Sequence, residues 1–340
     1  MIKNLLLFFG LFNFGFSTDT ECPIVTSIVD RRINPNKLRL MQYNVEWLFI
    51  DYYNASDCPG DKCTWANTSE AETHMTYVSN VIRELNPDIV NFCEVEGCDE
   101  LNLLIDELDS SYVPYLKKGT DTSTGQNVGM ITRVDPLVSL YRTEQKYAYP
   151  ISGSKCGYTG TSSSGVSKHY ITEFKWNTLH VAFISAHLIA IPTDSARCAQ
   201  REAQAMVLQQ VIYGFIQSGY EVIMIGDFND YDGLILDMNS NKPISRVLEI
   251  LKGNDGDYQG TYQLTNLAVN IEQEDRFSDW WDSDNNCNTV SNKDYSMIDY
   301  VLVSNHVKKY VTNVFIYHGY QEYCGKYDSD HYPVVIDFEF

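Results

Sequence analysis

Short apolar runs rich in β-branched residues recur along this chain of 340 residues, and several end on a polar side chain. Leu38 to Val45 alternates and reaches Asn44, while Asp88 to Glu94 (DIVNFCE) stops on Glu94. Leu179 to His187 (LHVAFISAH) stops on His187, and Glu221 to Asp227 (EVIMIGD) passes Gly226 to stop on Asp227. Ile298 to Val303 begins beside Asp299, and Pro333 to Phe338 follows Asp330 and His331. Their length and composition predict strands of a covered sheet. Helical spacing lies between them. Ala71, Met75, Val78, Ile82 and Leu85 make one apolar face that stops before Pro87. Ala199, Ala203, Val207, Val211 and Phe215 make a second, stopping near Gly219. Leu101 to Leu108 predicts a third helix, and Val247 to Leu251 a short fourth that ends at Gly253. Strands interleaved with helices make an α/β architecture. Tyr258 to Asn292 is polar and acidic and is expected as a loop over the site rather than a second domain.

Strand ends are where α/β proteins place chemistry, because the loops there are free to shape a pocket. Asn44, Glu94, His187, Asp227, Asn229, Asp299, Asp330 and His331 all belong to such ends. Carboxylates and amides hold hard cations through oxygen, and imidazoles add acid and base groups. Half-buried carboxylates repel one another, so a cluster of this kind calls for a cation at neutral pH.

Seven segments, MQYNVEW, PDIVNFCEVE, QNVGMITR, ISAHL, IGDFND, SMIDYVLV and SDHYPV, come in this order and span nearly the whole chain after its first residues. Through them the sequence resembles the endonuclease/exonuclease/phosphatase superfamily, whose relatives include deoxyribonuclease I and the neutral sphingomyelinases. The resemblance implies a deoxyribonuclease I-like α/β fold, a four-layer sandwich of two packed β-sheets flanked by helices. It implies that Glu94 is the principal ligand of Mg2+ or Mn2+, assisted by Asn44, with Asp330 completing the metal shell. Asp227 and Asn229 are expected to orient the attacking water and the phosphoryl oxygens. His331 is expected to be polarised by Asp299 and to act as base or as a charge stabiliser on the phosphate, and His187 to contact the phosphate or protonate the leaving oxygen. The chain also departs from the family. Cys93 stands where Gln is usual, just before Glu94, and Glu96 stands near an Arg with which the deoxyribonuclease I branch touches DNA. SMIDYVL occupies the place of the WCDR motif of inositol-polyphosphate phosphatases, which sets that branch aside.

The first 17 residues have the form of a signal peptide. Lys3 precedes the apolar Leu5 to Phe14, and Gly15 and Ser17 supply small residues for cleavage. Residues 18–340 are then expected as a single catalytic domain, secreted or held in the endolysosomal lumen. Two glycosylation triplets, at Asn54 and Asn67, and nine cysteines agree with that route. Cys58 with Cys63, and Cys93 with Cys98, are close enough in sequence to pair. A net charge of −20 argues against a broad basic surface for nucleic acid, but not against a metal-bearing site that meets a polyanion.

These features favour a secreted, metal-dependent phosphodiester hydrolase, a nuclease first, with nucleic acid as substrate. A sphingomyelinase-like or other phospholipid or small-molecule phosphodiesterase is the alternative, and a non-catalytic binding protein on the same fold a remote one. No stable protein partner is expected, and the state is expected to be monomeric. Asp282-x-Asp284-x-Asn286 resembles the start of a calcium loop but lacks its glycine, and is expected to be structural. Arg201 is expected on a solvated face or beside a site residue. Trp280 and Trp281 are expected to pack in the core or anchor their loop, with base stacking or lipid contact as the alternative.

Overall fold

The computed structural model describes residues 21–50, 65, 67–192, 194–281, 290–320 and 328–340. The segment expected as a signal peptide, Asn54, Cys58, Cys63 and the stretch from Asp282 to Asn286 lie outside the described residues. In chain order the strands are β1 (Lys37–Leu48), β2 (Ile89–Val95), β3 (Val113–Leu116), β4 (Asn127–Thr132), β5 (Tyr147–Tyr149), β6 (Ser162–Ser164), β7 (Lys168–Trp176) and β8 (Leu179–His187). There follow β9 (Glu221–Asp227), β10 (Leu264–Asn266), β11 (Asp279–Trp280), β12 (Tyr295–Ser296), β13 (Asp299–Ser304), β14 (Val311–Ile316) and β15 (Val334–Glu339). The four longest helices are α1 (Thr68–Leu85), α2 (Cys98–Asp106), α3 (Ser195–Gln217) and α4 (Val247–Lys252). All six strands and four helices expected from the pattern are present.

Two mixed sheets form the centre, in the orders β14-β15-β1-β2-β4-β3 and β10-β13-β9-β8-β7. Strand periodicity sorts the side chains of β1 and β2 between two cores. Met41, Tyr43, Val45, Val90 and Phe92 join Met75, Val78, Ile82, Leu101 and Leu104 of α1 and α2 in an outer core. Leu38, Leu40, Ile89 and Cys93 face the other way, into the larger core shared with Phe174, Phe183, Ile225 and Tyr300 of the second sheet. The second sheet carries α3 and α4 on its outer side, where Val207, Leu208, Leu248 and Leu251 extend the same core. The result is the expected α/β sandwich of helices, sheet, sheet and helices. Gln42, Asn44 and Asn91 lie in phase with Leu40 and Cys93, so these polar side chains point between the sheets.

Helix ends follow local chemistry. Asn67 caps α1 by accepting from the Glu70 N–H at 3.1 Å, and its Nδ2 returns to Glu70 Oε1 at 3.1 Å. This Asn67, the second glycosylation triplet's asparagine, is exposed. Asn86 then closes the helix in the left-handed region at φ 46° before Pro87.

Two expectations change. Cys98 pairs with Cys22 rather than with Cys93, and Cys93 is a buried free thiol. Cys93 lies within β2 with its side chain in the inter-sheet core, whereas Cys98 opens α2 on the other side. A second disulfide joins Cys156 to Cys198 at the start of α3. The Tyr258 to Asn292 segment is more than a covering loop: it adds β10 to the edge of the second sheet and sends β11 to the site.

Phe183 is fully buried between the sheets, edge-on to Phe174 at 5.6 Å and stacked with Tyr170 at 6.2 Å. Phe183→Ala is expected to cost about 3–5 kcal/mol by urea denaturation; a loss near zero would mean that the sheets repack freely.

Candidate functional site

Pairing register brings the polar strand ends together. Parallel pairing of β8 with β9 sets His187 opposite Asp227, and antiparallel pairing of β9 with β13 sets Asp299 opposite the same Asp227. Gly226 makes this fit possible, because a Cβ there would lie 1.9 Å from the Ala186 carbonyl oxygen. In the other sheet β1 and β2 run parallel, with Asn44 opposite Cys93. Both strands are irregular there, and Glu94 takes φ 68° at the irregularity. A bulge of this kind re-aims a side chain, and a non-glycine residue in the left-handed region costs about 1–3 kcal/mol. Glu94 thereby turns toward the second sheet, where its Oε1 lies 3.9 Å from His187 Nε2.

Asn44 is fully buried and bridges two carboxylates, its Nδ2 lying 3.3 Å from Glu94 Oε1 and 3.1 Å from Asp227 Oδ2. Its Oδ1 accepts from the Glu46 N–H while its Nδ2 faces Glu94, so a cation shared with Glu94 requires the amide turned over. Asn229, at φ 50°, donates its backbone N–H to Asp227 Oδ1 at 2.8 Å and its Nδ2 to the Leu188 carbonyl at 3.2 Å. It therefore fixes Asp227 and the strand end beyond His187 at once. Asp330 donates its backbone N–H to Glu46, and its carboxylate lies 3.8 Å from His331 Nε2.

The two histidines are held in opposite states. Burial, with the charges of Lys168 and His331, keeps His187 well below its ordinary value, so it is neutral. Its Nδ1 is buried and finds no partner among the described residues. A bare lone pair is cheaper to bury than a bare N–H, so the proton belongs on Nε2, which lies 3.5 Å from Asp227 Oδ2. His331 is also buried, which alone would lower it. Asp299, Asp330 and Asp279 outweigh that burial and hold it well above its ordinary value, so it carries a charge. Its Nδ1 meets Asp299 Oδ2 at 2.7 Å.

Asp227 sits between the imidazoles. Burial, then repulsion from Asp299 and Glu94, pushes its carboxyl up to about 8 against the pull of His331 and the Asn229 N–H. Side-chain atoms of Asp227, Asp299 and His331 lie within 4.8 Å of one another. His331 spends its Nδ1 on Asp299, so this trio holds a proton more readily than a metal. The crowding of Glu94, Asp227 and Asp299, all oxygen donors, fits a hard divalent cation on the Glu94 side, and soft ligands other than the buried Cys93 are missing from the described cluster.

Two contributors escaped the sequence pattern, and a third was only half read. Asp279 of β11 is buried, 3.6 Å from His331 Nε2, and burial lifts it to about 6 with Asp299 and Glu94 adding to the rise. The segment around it is marked in sequence only as polar and acidic, and nothing in the pattern singles out the one acid that bridges to His331. Lys168 lies opposite His187 on β7, almost buried, bonded to Gln126 at 3.1 Å. Arg201, expected on a solvated face or beside a site residue, is fully buried behind the site. It bonds Asp230 at 3.0 Å and the carbonyls of Ile189, Ile191 and Pro192 at 3.0–3.1 Å, tying the strand ends after His187 and Asp227 to α3. Trp280 is core, while Trp281 stands exposed two residues beyond Asp279.

A model of the Endonuclease/Exonuclease/phosphatase family matches residues 41–331. Among solved structures, an endonuclease/exonuclease/phosphatase from Bacteroides vulgatus aligns at TM-score 0.55 and 17% identity, covering 89% of this chain and 99% of that one. The human Nocturnin catalytic domain with bound sulfate anion aligns at 0.52 and 16%, covering 92% and 97%. D. rerio TDP2 complexed with single strand DNA product aligns at 0.51 and 15%, covering 89% and 99%. No curated protein matches by sequence. At these identities the solved structures are similar in fold.

The raised Asp227 has a consequence for stability. A folded-state value of about 8 against an ordinary 3.8 means that the folded protein loses stability as pH rises through this window, because Asp227 must ionise while buried. A bound cation favours the ionised form and opposes that loss. Magnesium is therefore expected to raise Tm more at about pH 8 than at about pH 6 in a thermal-shift titration. Equal shifts at both would separate Asp227 from the cation.

Proposed function

The chain belongs to the Endonuclease/Exonuclease/phosphatase family, and on that premise we propose that it is a divalent-metal-dependent phosphodiester hydrolase acting on nucleic acid. The observation that carries this reading is Asp227, a buried carboxyl of raised affinity for protons, standing between a neutral and a charged imidazole.

Each group has a task in attack by water on phosphorus. Asp227, ionised, takes the proton of the attacking water as the new P–O bond forms; a value near 8 makes it a stronger base than an ordinary carboxylate. Asn229 holds one Asp227 oxygen, leaving the other toward His187 and Asn44. His187 offers its Nε2–H to a phosphoryl oxygen. His331, kept charged by Asp299, stabilises the negative charge that builds there and supplies the proton that the leaving oxygen takes as its bond to phosphorus breaks. Mg2+ or Mn2+, held by Glu94 with Asn44 and Asp330, would neutralise further phosphoryl charge.

Nucleic acid is favoured by two points. A protein of similar fold binds single-strand DNA product, and the exposed Trp281 beside Asp279 offers a face on which a base can stack. Among the described residues the two disulfides suit an oxidising compartment, which supports export of the protein.

Purified protein is expected to cleave plasmid DNA with magnesium, to stop in EDTA, and to lose activity in Glu94→Gln. His331→Ala is expected to slow turnover by about 100- to 10,000-fold. Cleavage that survives EDTA would remove the metal. Hydrolysis of a choline phosphodiester without any DNA cleavage would move the protein to the phospholipid branch.

A further inference from the structure

A cleft of roughly 600 Å³ lies at the opposite ends of the strands, lined by Arg31, Arg39, Arg133, Asp88 and Asp337. Each of its three arginines already pairs with a carboxylate of this chain, and nothing in the cleft points to a ligand. A different feature carries further: a row of polar side chains running through the apolar layer between the sheets.

Tyr170 on β7 donates its hydroxyl to Asn91 Oδ1 on β2 at 2.5 Å. Asn91 Nδ2 donates to Gln42 Oε1 on β1 at 2.5 Å, and Gln42 Nε2 donates to Asp299 Oδ1 on β13 at 3.0 Å. Asp299 Oδ2 receives His331 Nδ1 and the Ser278 hydroxyl, the latter at 2.9 Å. The row leaves the second sheet at Tyr170, crosses the first through Asn91 and Gln42, and returns at Asp299. Gln42, Asn91 and Tyr170 are completely buried. We propose that Gln42 and Asn91 are positioning residues, which fix the Asp299 carboxylate and through it the ring of His331.

Direction is the core of the argument. A carboxylate only accepts, so Gln42 must turn its NH2 toward Asp299 and its oxygen toward Asn91. Asn91 must then donate with its NH2 and accept from Tyr170, whose hydroxyl has to donate. One end of the row fixes the orientation of every member. Gln42 and Asn91 are register partners on parallel strands, which keeps their amides side by side. Cys93 completes the set, its Sγ lying 3.5 Å from Gln42 Nε2 to take the second N–H. The thiol that replaces the family's usual Gln is therefore part of this row. Burying three polar side chains between two apolar sheets is costly unless every bond is made. Simple filling would be served better by Leu or Met, whereas a row that ends on the His331 partner restricts Asp299 to one rotamer.

The test begins with the His331 Nδ1–H resonance in protein carrying 15N-labelled histidine, which needs no substrate. Asn91→Leu keeps size but cannot donate, so it leaves the Gln42 oxygen without its donor and frees that amide to turn over. Gln42→Met removes the donor outright. Both are expected to shift the resonance or lose it to exchange with water. On the phosphodiesterase reading, on which the kinetic half rests, kcat falls about 10- to 100-fold while KM stays constant, the scale typical of residues that orient site groups. Tyr170→Phe removes a single hydroxyl, is expected to fold even where the others do not, and is also expected to shift the resonance.

Combined with Asp299→Asn, Gln42→Met is expected to add no further loss in kcat, because it acts through Asp299. Independent, multiplying losses would overturn the proposal, as would an unchanged His331 resonance in any folded variant of the three. A resonance that shifts in a protein without phosphodiesterase activity would refute the function and leave the positioning row standing.

Discussion

The repulsion between Asp227 and Asp299 is the constraint on which this site is built. Antiparallel pairing places them directly opposite on β9 and β13, with both side chains almost fully buried. Like charges so placed cannot both ionise without compensation. Asp299 is met by His331, Ser278 and Gln42, while Asp227 is met by the Asn229 N–H, Asn44 and the His187 face. The separate surroundings give the two carboxyls separate roles: one anchors an imidazole and the other takes up protons. Glu94 adds a third carboxylate from the opposite sheet, and with it the place for a cation.

Much of this was legible along the chain because strand periodicity and strand ends are local features. A run of β-branched residues stopping on Glu94, His187 or Asp227 announces both the strand and the group at its tip, and the structure brings these groups into one cluster. Segment order then identified the sandwich of two sheets. Pairing between distant segments was not legible in the same way. Cys98 is five residues from Cys93 yet bonds Cys22, because alternation along β2 sends Cys93 inward and the chain leaves that face before α2. Asp279 was hidden for a related reason: short pairings with Ser296 and His331 bury it, and composition cannot tell it from its solvated neighbours.

Residues that hold the site were harder to read than residues that form it. Arg201 looks from the helical pattern like one more charge on α3. Its burial follows from the carbonyls that converge on it, all from a segment where Ile191 takes φ 68°, an unfavourable angle for a β-branched residue. Gln42 and Asn91 likewise look like interruptions in apolar strands. Only the second sheet, arriving with Tyr170 and Asp299, shows what they answer to.

The bond between Cys22 and Cys98 also has a topological meaning. It closes a covalent ring spanning a sequence separation of 76 that contains β1, α1 and β2, and therefore both Asn44 and Glu94. A single break in the backbone anywhere inside that ring leaves the chain in one piece. Both halves of the Glu94 side of the cluster stay tethered to the strands that present His187, Asp227 and His331. The molecule can thus be nicked there without shedding its site.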